Sequence, residues 1–194
     1  LSYIAIAYRI LLVFGVGIAT FLFVNGREVI ALMANREYIE HTKYVYTSLD
    51  AMQIVVFIFL FYFLSSLFTY LLIASGEQKK LLRINLIITI ANLVGNLALI
   101  PLYSFVGSAW VTLACQIILL VSTYRATRHI ARFDYLPGFT ATTIVFGILA
   151  GLANFLLLGY IHTGTVVTLI ASSALFGLVY LGGIGAVFGR DYIS

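Results

Sequence analysis

Residues 54–64 read IVVFIFLFYFL, an apolar run whose side chains suit contact with lipid or with another apolar helix on every side. Similar apolar segments of about 20 residues, the length of one membrane-crossing helix, recur almost from end to end. A transmembrane barrel would instead need shorter segments of alternating apolar and polar residues. We therefore predict an all-α integral membrane protein, a bundle of about six transmembrane helices. The predicted segments are 3–24 with a tail to 33, 45–74, 81–101, 106–124, 139–160 and 164–188.

The composition agrees with a chain that lies in a lipid bilayer. Hydrophobic residues make up 62% of the sequence and charged residues only 9%, against about one half and one quarter in soluble domains. The net charge of +4 is spread between the apolar segments instead of forming a patch, so nucleic acid is not an expected partner. Cys115 is the single cysteine, which excludes an internal disulfide. We expect no metal site and no cofactor.

Lysine and arginine separate the two sides of the predicted bundle. The loop between the second and third segments, the loop between the fourth and fifth, and both chain ends carry basic residues, whereas the turns at 102–105 and 159–163 carry no charge. Positively charged loops remain in the cytoplasm. We therefore expect a multi-pass protein of the cytoplasmic (inner) membrane, with both ends of this chain cytoplasmic. The basic residues are Arg9, Lys79, Lys80, Arg83, Arg125, Arg128, Arg132 and Arg190.

Three short motifs follow one another between the second and fourth segments. Together they resemble the polysaccharide biosynthesis proteins of the multidrug, oligosaccharidyl-lipid and polysaccharide exporter superfamily, which includes O-antigen flippases of the Wzx type. Those proteins carry an "ASG-x-x-K" turn, an "N-x-x-x-N" helix that ends in "IP", and a "G-[AS]-A-x-x-T" helix start. The matching residues here are ASGEQK at 74–79, Asn92 and Asn96 before Ile100-Pro101, and GSAWVT at 107–112.

The resemblance covers about residues 26–132, and it departs from the family pattern at two positions. Asn35, before Arg36-Glu37-Tyr38, and Ser104 stand where the family usually has glycine. The resemblance implies two helical lobes around a central cavity, with alternating access and a polyprenyl-pyrophosphate-linked oligosaccharide as cargo. Because the chain begins at Leu1 within an apolar run, we expect it to be the carboxy-terminal lobe, with an amino-terminal lobe of the same polypeptide as partner. Polysaccharide polymerase or glycosyltransferases are further candidate partners.

Polar residues follow one face of the third predicted segment. At about 100° per residue, four of them fall within roughly one sixth of the helix circumference. Side-chain amides in hydrocarbon must pair with another helix or face water. The stripe therefore either lines a cavity and binds sugar hydroxyls or packs against a neighbouring helix, and the fourth segment has a similar stripe. The two stripes are Asn85, Thr89, Asn92 and Asn96, and Thr112, Gln116 and Thr123.

Two charged residues are further candidates. Asp50 is the acid nearest to a predicted span core, and it either couples transport to an ion or marks the hydrated mouth of its helix. Arg9 lies deepest among the arginines near span ends, where a guanidinium either binds a pyrophosphate or extends to lipid headgroups. Small residues on the fifth and sixth segments indicate close helix packing. These are Thr143, Gly147, Gly151 and Asn154, and Thr165, Thr168, Ser172 and Gly183.

The leading functional prediction is therefore a flippase lobe for lipid-linked oligosaccharide, with Arg9, Asn85, Asn92, Asn96, Thr112 and Gln116 as candidate substrate-binding residues. An ion-coupled drug or metabolite antiporter of the same superfamily is the alternative, and a membrane-embedded glycosyltransferase or ligase is a lesser one. Nothing in the sequence resembles a phosphate-binding loop, a paired-histidine zinc motif or a nucleophile elbow, so we expect a protein that is not an enzyme. The isolated His41, His129 and His162 are expected to be hydrated.

Overall fold

A computed structural model describes residues 3–34, 45–130, 136–160 and 164–188 of the chain. Within these ranges the structure contains five α-helices and no strand, and all five helices are long and apolar enough to cross a membrane. The prediction of an all-α membrane protein is therefore confirmed. The helices are α1 (Tyr3–Met33), α2 (Ser48–Ala74), α3 (Gln78–Thr127), α4 (Leu136–Tyr160) and α5 (Thr165–Phe188).

The count of five differs from the predicted count of about six because α3 contains both the third and the fourth predicted segments. Its 50 residues would extend about 75 Å as a straight helix, more than twice the thickness of a hydrocarbon core. Helical geometry is interrupted at Ser104, where φ is 53° and ψ is −143°. Pro101, expected at a helix end, lies inside α3 three residues before this interruption.

The two halves of α3, residues 78–103 (α3a) and 105–127 (α3b), run antiparallel. A Cβ atom at Gly95 would lie 2.8 Å from Cγ1 of Val111, and one at Gly107 would lie 2.5 Å from the carbonyl oxygen of Leu99. Further from the interruption, Sγ of Cys115 lies 3.9 Å from the carbonyl oxygen of Ile88. Residues progressively further from Ser104 on one half therefore face residues progressively further from it on the other, and α3 forms a helical hairpin.

Contacts divide the chain into two compact units, and α1 and α2 contribute to both. Unit 1 comprises Leu1–Gly15 and Ile54–Leu136. In it, α2 and α3b run parallel, because Gln116 bonds to Ser65 and, further along both helices, the rings of Phe68 and Tyr124 pack edge to face at 5.4 Å. The start of α1 packs against α2 at Gly15, where a Cβ atom would lie 3.2 Å from Cδ1 of Leu60.

Unit 2 comprises Val16–Gln53 and Pro137–Ser194. In this unit α4 runs parallel to α1, since Gly147 packs on Val16 and Gly151, one turn later, packs on Thr20. The missing glycine side chains permit this approach, because added Cβ atoms would lie only 2.7 and 2.8 Å from those neighbours. Two of the four small residues predicted on the fifth segment, Gly147 and Gly151, thus lie where α4 meets α1.

The first helix continues through the polar residues 25–28, which separate the predicted segment 3–24 from its tail to 33. Asn25 is completely buried in α1, and its side-chain amide donates a 3.0 Å hydrogen bond to the carbonyl oxygen of Phe21. This bond to the preceding turn partly satisfies the amide without breaking the helix. As a result α1 runs on past Glu28 to Met33, which places a second carboxyl group, besides Asp50, within a helix.

Candidate functional site

The two predicted polar stripes lie beside the contact line of the α3 hairpin, except for Thr123, which is completely buried and donates to the carbonyl oxygen of Leu119 at 2.7 Å. On α3a, Thr89 directly follows Ile88, and Asn96 directly follows Gly95, so each polar residue comes one position after a residue that contacts α3b. The same holds on α3b. There the polar residues are Thr112, after Val111, and Gln116, after Cys115.

This offset of one residue decides the side on which the polar groups lie. One position along a helix is a rotation of about 100°. When both helices are viewed from the same end, the residues of one progress clockwise and those of its antiparallel partner progress anticlockwise. A step of one residue beyond the contact line therefore leads to the same side of the helix pair on both helices. The hairpin therefore has one polar side. We call its residues the polar track: Asn85, Thr89, Asn92, Asn96, Thr112 and Gln116.

The polar track combines satisfied and available hydrogen-bonding groups. The Asn96 amide donates to both the carbonyl oxygen and the side-chain oxygen of Asn92, at 2.9 Å each, and Thr112 donates to the carbonyl oxygen of Ser108 at 2.9 Å. Oδ1 of Asn96 is buried and accepts no hydrogen bond from any described residue. Asn85 and Thr89 are exposed. Neutral donors and acceptors thus follow one another along a single side.

The outward face of α3a is apolar. Leu93 and Leu97 are 61% and 71% exposed, and only Leu81 is buried among residues 78–103. A face of this composition suits lipid acyl chains. The polar track thus lies along the border between the exposed apolar side of α3a and the side packed on α3b.

Gln116 has a partner that the sequence pattern did not indicate. Its amide donates a 2.7 Å hydrogen bond to the hydroxyl of Ser65 on α2. For Gln116, this contact fits the interpretation that the stripe packs against a neighbouring helix. A signal for Ser65 existed in the sequence, because the pair Ser65-Ser66 interrupts an otherwise apolar segment.

Arg9 belongs to unit 1 and is half-buried in the second turn of α1. It is therefore in the same unit as the polar track. Its role in binding an anionic group stays a prediction.

Asp50 belongs to unit 2 and caps the start of α2. Its Oδ2 accepts hydrogen bonds from the backbone N–H and the hydroxyl of Thr47, at 2.7 and 2.9 Å, and the Thr47 hydroxyl accepts a 3.4 Å bond from the Asp50 N–H. Such a reciprocal capping box satisfies backbone donors that a helix start leaves unpaired. The contacts fit the interpretation of Asp50 as a helix-start residue, and ion coupling stays a prediction.

The predicted basic loops meet at one end of unit 1. Oε1 of Glu77, before α3, lies 2.9 Å from Nζ of Lys80 and 2.9 Å from Nε2 of His129, after α3. The hydrogen bond from Lys80 and the contact with His129 hold the pKa of the Glu77 carboxyl below its ordinary value, against a smaller opposing effect of desolvation. This contact places one basic group of residues beside the other. The two groups are Lys79, Lys80 and Arg83, and Arg125 and Arg128.

In the part of the chain that the structure describes, no group of histidine, cysteine, aspartate and glutamate side chains could hold a metal ion. Several positions considered from the sequence lie outside the described residues, namely 35–38, His41, Arg132, His162 and Arg190. Comparisons with models of protein families, with curated proteins and with solved structures found no match to this chain.

Proposed function

We propose that this chain is the carboxy-terminal lobe of a flippase that moves a lipid-linked oligosaccharide across the cytoplasmic membrane by alternating access. The polar track is the observation that carries the proposal. Amides and hydroxyls at membrane depth need water, another helix or a ligand as hydrogen-bond partner. A track of neutral donors and acceptors matches the many hydroxyl groups of a sugar chain, while the exposed leucines beside it match lipid.

The proposed topology is six crossings, with α3a and α3b as separate crossings. Two observations support it. The halves of α3 are antiparallel, and α4 is parallel to α1, whereas α2 is antiparallel to α1 because Gly15 contacts Leu60 and Gly26, further along α1, contacts Leu49. With these directions, α2 ends on the side of the membrane on which α4 begins. The chain between them must therefore cross the membrane an even number of times. The basic residues around Glu77 and His129 suggest that this end is cytoplasmic.

Arg9 supplies the positive charge in the proposed binding site. A guanidinium group forms paired hydrogen bonds with phosphate oxygens, and the polar track has no carboxylate that would repel a pyrophosphate. We propose that Arg9 contacts the pyrophosphate of the polyprenyl-linked cargo, while Asn85, Asn92, Asn96 and Thr112 contact sugar hydroxyls.

An ion-coupled antiporter is the second candidate, and Glu28 is the residue that favours it. Glu28 is part of α1, and its Oε2 is buried without a hydrogen-bond partner among the described residues. Carboxyl groups within membrane helices often bind protons or ions. Ion-dependent efflux of a cationic dye by the purified full-length protein would favour this candidate over the flippase.

The flippase proposal is tested by replacing the track's two central amides. We expect Asn92→Leu/Asn96→Leu in the full-length protein to abolish display of surface polysaccharide while membrane insertion is unchanged. The matched control is Leu93→Ala/Leu97→Ala, one position further along the same helix on its lipid-facing side, for which we expect normal display. Normal display in the asparagine variant would refute a cargo-binding role for the track.

A further inference from the structure

Three polar side chains in unit 2 are completely buried and incompletely hydrogen-bonded. Asn25 on α1, Asn154 on α4 and Ser172 on α5 each have 0% exposure. Oδ1 of Asn25, both Oδ1 and Nδ2 of Asn154, and Oγ of Ser172 have no hydrogen-bond partner among the described residues. Most buried polar atoms in proteins have a partner, either in the protein or in ordered water. Four such atoms on three packed helices therefore need an explanation.

Asn25 and Ser172 lie at the same level of unit 2. A Cβ atom at Gly17 would lie 2.8 Å from the ring of Tyr180, and one turn later on α1 the ring of Phe21 packs edge to face on Phe176 at 5.6 Å. From the first contact to the second, the residue number increases by four on α1 and decreases by four on α5. The next pair in this antiparallel series is Asn25 and Ser172.

Asn154 lies at this level as well. On α4, Gly147 contacts Val16 and Thr20, and Gly151 contacts Thr20 and Val24, so the following turn of α4 reaches the turn of α1 that contains Asn25.

The contacts between α4 and α5 give the same level independently. Phe146 packs on Gly183 and Gly147 packs near Tyr180, in an antiparallel series. Continued by two turns, this series sets Asn154 opposite residues 173–175, which follow Ser172 directly. Three separate helix pairs thus bring Asn25, Asn154 and Ser172 to one place in the interior of unit 2. We call these three residues the buried polar cluster.

We propose that the buried polar cluster is a binding site for water molecules that bridge α1, α4 and α5. A buried water makes two to four hydrogen bonds to polar groups that would otherwise be unpaired. The cluster has the required mixture, because two carbonyl-type oxygens need a donor, one amide nitrogen needs an acceptor, and the serine hydroxyl can be either. Water is both donor and acceptor, so it satisfies all of these groups.

The unpaired Nδ2 of Asn154 distinguishes water from a metal cation. A cation binds oxygen atoms and leaves the amide N–H without an acceptor, and the positive end of the N–H would point toward like charge. The conclusion is the same if the oxygen and nitrogen of the Asn154 amide are interchanged, because neither atom has a hydrogen-bond partner among the described residues. This inference does not rest on the proposed transport function, since it concerns contacts inside unit 2 alone.

Radiolytic hydroxyl-radical labelling of the full-length protein in lipid nanodiscs tests the site, because bound water produces radicals that oxidise side chains beside it. Phe176 is one turn from Ser172 and only 7% exposed, so oxidation of its ring reports water in the interior. We expect Phe176 to be oxidised in the unaltered protein, and Asn154→Leu to reduce this oxidation several-fold. Tyr160, which ends α4 and is 83% exposed, is the internal control, and its oxidation should be unaffected.

Ser172→Ala provides a milder variant that carries the test if Asn154→Leu does not fold, and we expect it to reduce oxidation of Phe176 as well. Unchanged oxidation of Phe176 in the folded variants would overturn the proposal. The thermal midpoint, measured in sodium chloride and in choline chloride, provides the second readout. Equal midpoints in the two salts support water. A midpoint of the unaltered protein that is higher in sodium chloride, with no such difference in the variants, would overturn the water proposal in favour of a cation site.

Discussion

The side-chain amide of Gln116 on α3b donates a 2.7 Å hydrogen bond to the hydroxyl of Ser65 on α2, across 51 positions of sequence. Ser65 in turn donates to the carbonyl oxygen of Tyr62 in its own helix, at 3.1 Å. Ser65 is buried, with 1% exposure. The bond therefore joins two parallel helices of unit 1, and the Ser65 hydroxyl is shielded from competing solvent.

We expect this bond to contribute measurably to the stability of unit 1. A double-mutant cycle with Ser65→Ala and Gln116→Leu should give a coupling free energy of about 0.6 kcal/mol, and at most about 1.7 kcal/mol. The free energy of unfolding in detergent micelles is the quantity to measure. Ser66→Ala is the matched control, since Ser66 bonds only within its own helix to Phe63, and it should show no coupling to Gln116.

The tip of the α3 hairpin depends on the small size of Gly107. A methyl group at this position would lie 2.5 Å from the backbone oxygen of Leu99, which cannot move without displacing α3a. We expect Gly107→Ala to lower the free energy of unfolding by about 1–3 kcal/mol. Gly182→Ala is the control, because nothing lies within 4 Å of a Cβ atom at that position. If Gly107→Ala were as stable as Gly182→Ala, α3a and α3b would have to be further apart than the structure shows.

Ser104 adopts a backbone conformation that glycine adopts more readily. Its φ of 53° with ψ of −143° brings the Cβ atom of an L-residue close to its own backbone. We expect Ser104→Gly to raise the free energy of unfolding by about 1 kcal/mol. Ser108→Gly, in the regular part of α3b, should instead lower it by about 0.5–1 kcal/mol. Thermal unfolding of the two variants side by side would distinguish these outcomes.

The hairpin also shows what hydropathy could predict. Segments 81–101 and 106–124 were predicted with a turn between them, and the structure interrupts α3 at Ser104, inside that turn. Hydropathy locates such a turn because polar and aromatic residues accumulate there. It does not reveal that helical hydrogen bonding continues to within one residue on each side, since that depends on local backbone geometry.

Pairings between distant residues could not be predicted in the same way. The periodicity placed Gln116 on a polar face but gave no partner, because hydropathy carries no information on which helices are neighbours. Hydropathy likewise separates segment 3–24 from its tail at the polar residues 25–28, but it does not show that the helix continues between them. Asn25 and Glu28 both lie inside α1, and the Asn25 amide bonds to the carbonyl oxygen of Phe21.

Stability should depend on pH through Glu77. Since contacts with Lys80 and His129 lower the pKa of this carboxyl below 4.5 in the folded protein, its contribution is fully present above about pH 4.5 and is lost as the pH falls through the lowered value. We expect the difference in thermal midpoint between the unaltered protein and Glu77→Gln to disappear in acid. The difference should be small and sensitive to salt, because the group is partly solvated. A constant difference from pH 3 to 7 would contradict the ion pair.

The topology of α3 is open to direct labelling. Lys79, Ser104 and Arg128 are all exposed, so a single cysteine at any of them should react with a thiol reagent that does not cross membranes. Cys115 is buried, and Cys115→Ala removes it as a background. We expect cysteines at 79 and 128 to react in inverted vesicles, and a cysteine at 104 to react in intact cells.

The pattern of three positions separates the possible topologies. If α3 crosses the membrane twice, positions 79 and 128 share one side and 104 lies on the other. If it crosses once as a single element, 79 and 128 react from opposite sides. The contact of Glu77 with His129 at 2.9 Å requires the first pattern, since two side chains separated by a hydrocarbon core of about 30 Å cannot touch. If cysteines at 79 and 128 both reacted from outside the cell, α3 would still be a hairpin, but its orientation in the membrane would be the reverse of the one proposed.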